Sequence, residues 1–284
     1  MSKTTPLPPP PPPMAQSGKP KSIASLWGEV RKSGRRIGIY GESGAGKTSL
    51  AATVQGETVF LDLENTLYAL FGKDIPENIH AAYPDTWQQI LDILNADFTT
   101  VQNIVIDSIT TAEVMLDQYV LRHFRANKAG FGKVDFFEEE LPALHTLNEL
   151  GGGGADNAKY QAFNSMLMQL ERLSAKGINI ITIAHDCAKE MEDLTNGGAF
   201  RRNEPRLNDP NSGKNSMRRR YIEWLDDLFF VYFERVSGGE DHREHRTGDR
   251  LVAVEAGDGY MAKSRTFSGD PIKREEFDLS SVIK

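Results

Sequence analysis

Apolar residues fall along this chain in two rhythms. Short, nearly continuous runs recur: "RIGIY" (36–40), "TVFLDL" (58–63), "NIVIDS" (103–108), "INIITIAH" (178–185), "LFFVYF" (228–233) and "RLVAVEA" (250–256). Runs of that length without polar alternation predict strands buried on both faces. Between them the spacing turns helical. A helix is expected from 49–54; Trp87, Ile90, Leu91 and Leu94 mark a helical face after an Asp85 cap, and another helix follows the third run to about Arg125. Tyr160, Phe163, Met166, Leu167, Leu170 and Leu173 mark a further face. The alternation predicts an α/β fold, a mostly parallel sheet flanked by helices. Two polar stretches interrupt it, 126–156, which ends in the glycine run Gly151 to Gly154, and 186–219. Both are expected to be loops that fray or move. Residues 1–20, with the unbroken Pro8 to Pro13, predict a disordered, Pro-rich N-terminal tail, either a spacer or a docking peptide for a proline-binding groove. The expected domains are this tail, one α/β domain over 21–266 and a C-terminal tail over 267–284.

Composition narrows the function classes. A chain of 284 residues, 39% hydrophobic and 26% charged, supports one substantial core. No apolar run approaches a membrane span, and proline occupies the place of a signal peptide's apolar core. No membrane association and a cytoplasmic location are therefore expected. Cys187 is the single cysteine, so an internal disulfide is excluded and a structural zinc site is not expected. The net charge of −7 argues against nucleic-acid binding by bulk charge and requires a local basic segment for any such role.

"GESGAGKT", Gly41 to Thr48, matches the phosphate-binding pattern G-x-x-x-x-G-K-[ST] between a predicted strand and a predicted helix. Gly41, Gly44 and Gly46 free the backbone to curl its N–H groups around anionic oxygens, with Glu42, Ser43 and Ala45 completing the loop and Ser49 entering the helix. Lys47 is expected to neutralise β- and γ-phosphate charge and Thr48 to ligate Mg2+, with ATP as the nucleotide. Asp107 closes the third strand, where its carboxylate meets the metal shell; it equally suits a helix cap opening "DSIT". Asp62 and Glu64 bracket the exit of the second strand on one side. Glu64 is placed to polarise water against a γ-phosphate, or to cap the helix that follows.

The order "GESGAGKT", "VFLDLEN", "NIVIDSIT", "INIITIAH" resembles the core of the RecA-like ATPases over about residues 36–266, and is most similar to compact ATP-binding proteins of bacteriophages, some of which act in single-strand annealing or recombination. The resemblance implies a RecA-like P-loop fold, Glu64 as catalytic base, Asp107 as the acid beside Mg2+ and His185 as a polar γ-phosphate sensor. It places Tyr68 along the nucleotide base. "AKSRT" (262–266) resembles the K-x-R finger of that family, by which Lys263 and Arg265 would enter a neighbouring subunit's site in a homo-oligomer; a solvated basic pair is the alternative. The host cytoplasm is implied if the chain is phage-encoded. An extra DNA-binding domain and a counterpart to 126–156 are missing from the likeness.

Residues 195–221 carry Arg201, Arg202, Arg206, Lys214, Arg218, Arg219 and Arg220 against Glu204 and Asp209. This reversal of charge is the expected single-stranded DNA element, with Phe200 and Tyr221 to stack on bases; a loop that pairs with its own acids is the alternative. Arg31, Lys32, Arg35 and Arg36 read as a solvated entry segment. The expected function is a Mg2+-dependent, DNA-stimulated ATPase acting on single-stranded DNA in recombination or annealing. The alternative is a helicase-loader or assembly module that reaches DNA through a partner, with the Pro-rich tail as a docking element for a replication or recombination partner. A kinase lacks an evident acceptor pocket, and "ANKAG" has Gly130 where a guanine-reading aspartate would stand.

Overall fold

Period-two alternation inside each apolar run decides which face of the sheet a residue serves. In β1 (Arg36–Gly41), Ile37 and Ile39 join one core and Tyr40 the other. The computed structural model describes residues 32–192, 197–211, 213–238 and 243–283, so the proline-rich 1–20 and Arg31 lie outside the described residues. After β1 come α1 (Lys47–Ala51), β2 (Thr58–Asp62), α2 (Thr66–Phe71), β3 (Ile79–Ala82), α3 (Trp87–Leu94), β4 (Asn103–Asp107) and α4 (Ile109–His123). A small antiparallel pair, β5 (Phe124–Ala126) and β6 (Val134–Phe136), precedes the long α5 (Gly154–Ser174). The chain closes with β7 (Asn179–Glu192), β8 (Ala199–Pro205), α6 (Met217–Trp224), β9 (Asp227–Gly238), β10 (Arg243–Ala253) and β11 (Ile272–Lys273).

The main sheet runs β11-β10-β9-β1-β7-β4-β2-β3, with β8 paired to β7 off that path. The six strands from β9 to β3 are parallel, whereas β10 and β11 add antiparallel edges. The expected mixed α/β architecture with a mostly parallel sheet is thus present. Helices α3 to α6 cover one face around Ile104, Ile106 and Phe163; α1, α2 and the chain end cover the other around Phe60, Val105 and Ile181.

Four local expectations are corrected. The helix α3 is capped by Thr86, whose hydroxyl accepts the Gln89 N–H, not by Asp85. The stretch 186–219, expected as a loop, instead continues β7 past the sheet edge into an antiparallel hairpin with β8 and then enters α6. The glycine run expected to fray opens α5, with Gly153 at φ 74° as its cap. Residues 267–283, expected as a tail, contribute β11 and bury Phe277, Leu279 and Val282 in the core.

Candidate nucleotide site

Strand register assembles the site. Gly41 stands beside His185 across β1 and β7, Asp107 beside Ile183 across β4 and β7, and Asp62 beside Asp107 across β2 and β4. Residues more than a hundred positions apart therefore line one edge of the sheet, where parallel strands end and ligand crevices form. Gly41 is required there because a Cβ on it would lie 1.9 Å from the Val231 carbonyl oxygen. Gly46 carries φ 93° before α1, a backbone state that glycine adopts at no steric cost.

A cavity of about 350 Å³ opens at this edge, lined by Ser43, Gly44, Gly46, Lys47, Thr48 and Ser49 of the loop and helix, with Glu64, Asp107 and His185 opposite. Ala45 is fully buried and anchors the loop from beneath. Lys47 folds back, its Nζ donating to the Gly41 and Glu42 carbonyl oxygens at 2.9 Å each. Burial lowers its pKa, against the upward pull of Asp186, Asp107 and Glu64. A phosphate there supplies a stronger acceptor than those carbonyls. Glu42 turns away from the cavity: its two carboxylate oxygens accept from Arg235 and Arg246, each at 2.7 Å.

The two strand-exit acids have separate tasks. Asp62 accepts the backbone N–H groups of Thr66 and Leu67 at 2.8 and 3.0 Å, so it is Asp62 that caps α2. Glu64 stays in the site. Its Oε1 accepts from His185 Nε2 at 2.9 Å, from Thr111 Oγ1 at 2.6 Å and from the Ser108 hydroxyl in a short bond. The His185 hydrogen bond, reinforced by Ser108 and Thr111 and opposed by burial, lowers the Glu64 pKa to about 2. His185 is fixed in turn, its backbone N–H donating to Thr110 Oγ1 at 3.0 Å.

Asp107 Oδ2 accepts from Thr48 Oγ1 at 2.6 Å and from Thr66 Oγ1 at 2.9 Å. Burial raises the Asp107 pKa despite these bonds, so a divalent cation would find a carboxylate with strong demand for positive charge. Hard oxygens from Thr48 and Asp107 fit Mg2+, which keeps waters and substrate phosphates in its shell. No group of three or more His, Cys, Asp or Glu gathers for a metal among the described residues.

Other expected site residues lie elsewhere. Tyr68 is 66% exposed on α2 and stands outside the cavity lining, where Ala69 and Leu70 take its place. Lys263 and Arg265 sit at the opposite edge of the sheet, where β9 begins. Lys263 Nζ donates to the Leu225 carbonyl at 2.7 Å, and Arg265 lies 3.3 Å from Asp226. Sequence reading missed Arg250, which lines the cavity from β10, and the hydroxyls of Thr66, Ser108 and Thr111. The hydroxyls left a trace: Ser108 caps α4 with Thr111 three residues on. A lone arginine left none.

The basic stretch is largely built into the fold. Arg202 and Arg218 pair with Glu204, and Lys189, Arg218 and Arg219 with Asp209. Burial pushes the Asp209 pKa up, but the Lys189 and Ser216 bonds and the Arg218 charge outweigh it and leave the pKa lowered. Arg220 donates to Asn164 at 3.0 Å. Tyr221 is fully buried with its hydroxyl against Thr182, so it cannot stack on a base. Arg201, Arg206, Lys214 and Phe200 are exposed, while Thr195 lies outside the described residues. No helix among the described residues is long and apolar enough to cross a membrane.

The family described as AAA domain matches the chain over residues 33–266. No curated protein matches it.

Proposed function

The chain belongs to the AAA domain family of P-loop ATPases, and from that premise we propose a Mg2+-dependent ATP hydrolase of RecA-like type that couples its nucleotide state to single-stranded DNA through the β7–β8 hairpin. One observation carries the coupling: β7 runs without a break from His185, bonded to Glu64, into the hairpin that bears Lys189, Phe200 and Arg201. A change in the γ-phosphate pocket that displaces Glu64 or His185 acts on the base of that hairpin.

In this reading Lys47 and the loop backbone hold the phosphates, and Thr48 and Asp107 would hold Mg2+, which would supply charge neutralisation for the phosphate chain. Glu64 uses one carboxylate oxygen for His185, Ser108 and Thr111 and leaves Oε2 for the attacking water. With a pKa of about 2 it orients that water and stores no proton at neutral pH. That suits a loose transition state, in which positioning outweighs early proton removal. Arg265, exposed at the far edge, serves a neighbouring subunit in a homo-oligomer.

The ion pairs that absorb Arg202, Arg218 and Arg219 favour a second reading, an assembly or helicase-loading module in which DNA is held by a partner. Steady-state hydrolysis with and without single-stranded oligonucleotide, at low and moderate salt, separates the two. Stimulation that salt cancels is expected for direct DNA coupling. A DNA-independent rate at both salts turns the assignment to the partner-dependent module, and no hydrolysis in any condition removes both.

A further inference from the structure

Four arginines converge on the phosphate loop from the antiparallel edge of the sheet, and they divide into two pairs. Arg235 and Arg246 meet Glu42. Among the described residues, no carboxylate lies within ion-pair distance of Arg250 or Arg274. They are neighbours, since the Arg274 N–H donates to the Arg250 carbonyl at 2.8 Å where the chain passes from β10 to the segment after β11. Their guanidinium groups aim at the loop: the position of a Cβ on Gly46 lies 3.4 Å from Arg250 Nη1 and 3.9 Å from Arg274 Nε. That Nε is buried and has no hydrogen-bond partner among the described residues. Arg250 lines both the main cavity and an adjoining one of about 340 Å³ that Arg274, Gly248 and Glu275 complete.

Two like charges side by side, one with a buried, unsatisfied donor, form an arrangement that an anion relieves. Burial lowers the Arg274 pKa and the Arg250 charge lowers it further, against a smaller upward pull from Glu275. Planar guanidinium forks suit phosphate oxygens, and the only ligand chemistry already implied within reach of Gly46 is a nucleotide's phosphate chain.

We propose that Arg250 and Arg274 are nucleotide-binding residues that grip the phosphate chain of a bound nucleoside polyphosphate from the side of the loop at Gly46, across from Lys47, within the same chain. The assignment rests on nucleotide binding at the P-loop. It extends the site beyond the motif and onto the segment after residue 266, which is thereby part of the functional unit.

Titration of the full-length protein with fluorescent ATP and ADP analogues, in Mg2+, tests it. Arg250→Ala and Arg274→Ala are each expected to weaken binding at least tenfold, the scale of a lost hydrogen bond to a charged group. Arg274→Lys, which keeps the charge but loses the fork, should fall between wild type and Arg274→Ala and guards against a folding defect in the alanine variant. Lys273→Ala removes a neighbouring exposed charge, paired with Asp249, and should bind as wild type does. Wild-type affinity in the Arg250→Ala/Arg274→Ala double variant, with Lys47→Ala defective, overturns the grip while leaving the P-loop reading intact. An equal loss in Lys273→Ala also overturns it, by showing a diffuse charge effect. Failure of the wild-type protein to bind either analogue defeats the nucleotide site itself.

Discussion

Glu64 and Asp62 lie two positions apart on one strand exit, yet one carboxylate caps a helix and the other faces the phosphates. The difference is set by partners: backbone donors of α2 reach Asp62, whereas side-chain donors from the α4 cap Ser108, from α4 and from β7 reach Glu64. Glu64→Gln is expected to cut hydrolysis by a hundredfold or more while nucleotide affinity stays within about threefold, since what is lost is water alignment in the transition state. The same variant carries a stability readout. A folded pKa of about 2 against an ordinary 4.5 means that ionised Glu64 stabilises the fold above pH 4.5, and that this contribution drains away as pH falls toward 2. The wild-type unfolding midpoint should therefore drop more steeply through that window than that of Glu64→Gln; parallel pH profiles would show the His185 bond to be energetically idle. Lys47, Thr48, Glu64 and Asp107 could be brought to one edge from the sequence, because each closes or follows an apolar run and parallel strands deliver such positions together, whereas His185 was named through the family resemblance. Arg250 was not legible, because nothing local distinguishes it from other surface arginines and only the pairing of β9 with β10 carries it to the loop.

At the scale of elements, the hairpin of β7 and β8 shows where pattern reading stops. Beyond His185 the strand carries Asp186, Lys189, Glu190 and Glu192, and its partner carries Arg201, Arg202 and Glu204, so both lack the apolar run that announces a buried strand. Their pairing is held by cross-strand backbone bonds, while their charges pair elsewhere, Arg202 with Glu204 along β8 and Lys189 with Asp209 beyond the hairpin. The strand β3 escaped notice for a related reason, with only Ile79 of its four residues buried. The helices α4 and α5, by contrast, announced themselves by apolar spacing, but the ion pairs that join them did not. Lys159 on α5 reaches Glu113 at 2.7 Å and Asp117 at 2.8 Å on α4, and its side chain is only 10% exposed. Deleting one member of such a buried cluster strands the others without charge compensation. Lys159→Ala is expected to lower unfolding stability by about 3 kcal/mol, measured by denaturant titration. A loss below about 1 kcal/mol would place the cluster with ordinary surface ion pairs.

For the whole molecule, the sheet imposes a direction that a site residue cannot escape. The P-loop leaves β1 at one end, while Arg265 sits at the other, 3.3 Å from Asp226 and 67% exposed. The six residues of β1 separate those ends by roughly 17 Å at the usual rise per residue, too far for one side chain to bridge. Arg265 can therefore act on a γ-phosphate only in a second copy of the chain, docked head to tail so that one copy's strand starts face the next copy's strand ends. Lys263 has less freedom, since its amino group is held by the Leu225 carbonyl and its pKa is lowered by burial and by Arg265. In the proposed homo-oligomer this arrangement would separate binding, carried within one chain, from turnover, completed between chains. Arg265→Ala should bind nucleotide normally yet hydrolyse it at least a hundredfold more slowly, and Lys47→Ala should be inactive because it lacks the phosphate lysine. Mixed in equal amounts, the two are expected to regain about a quarter of wild-type activity, because a head-to-tail interface joins an intact P-loop to an intact Arg265 in one pairing out of four. The gain should rise with protein concentration and vanish on dilution. If Arg265→Ala alone turns over at the wild-type rate, the reactive site is complete within one chain and Arg265 belongs with Asp226 as a surface pair.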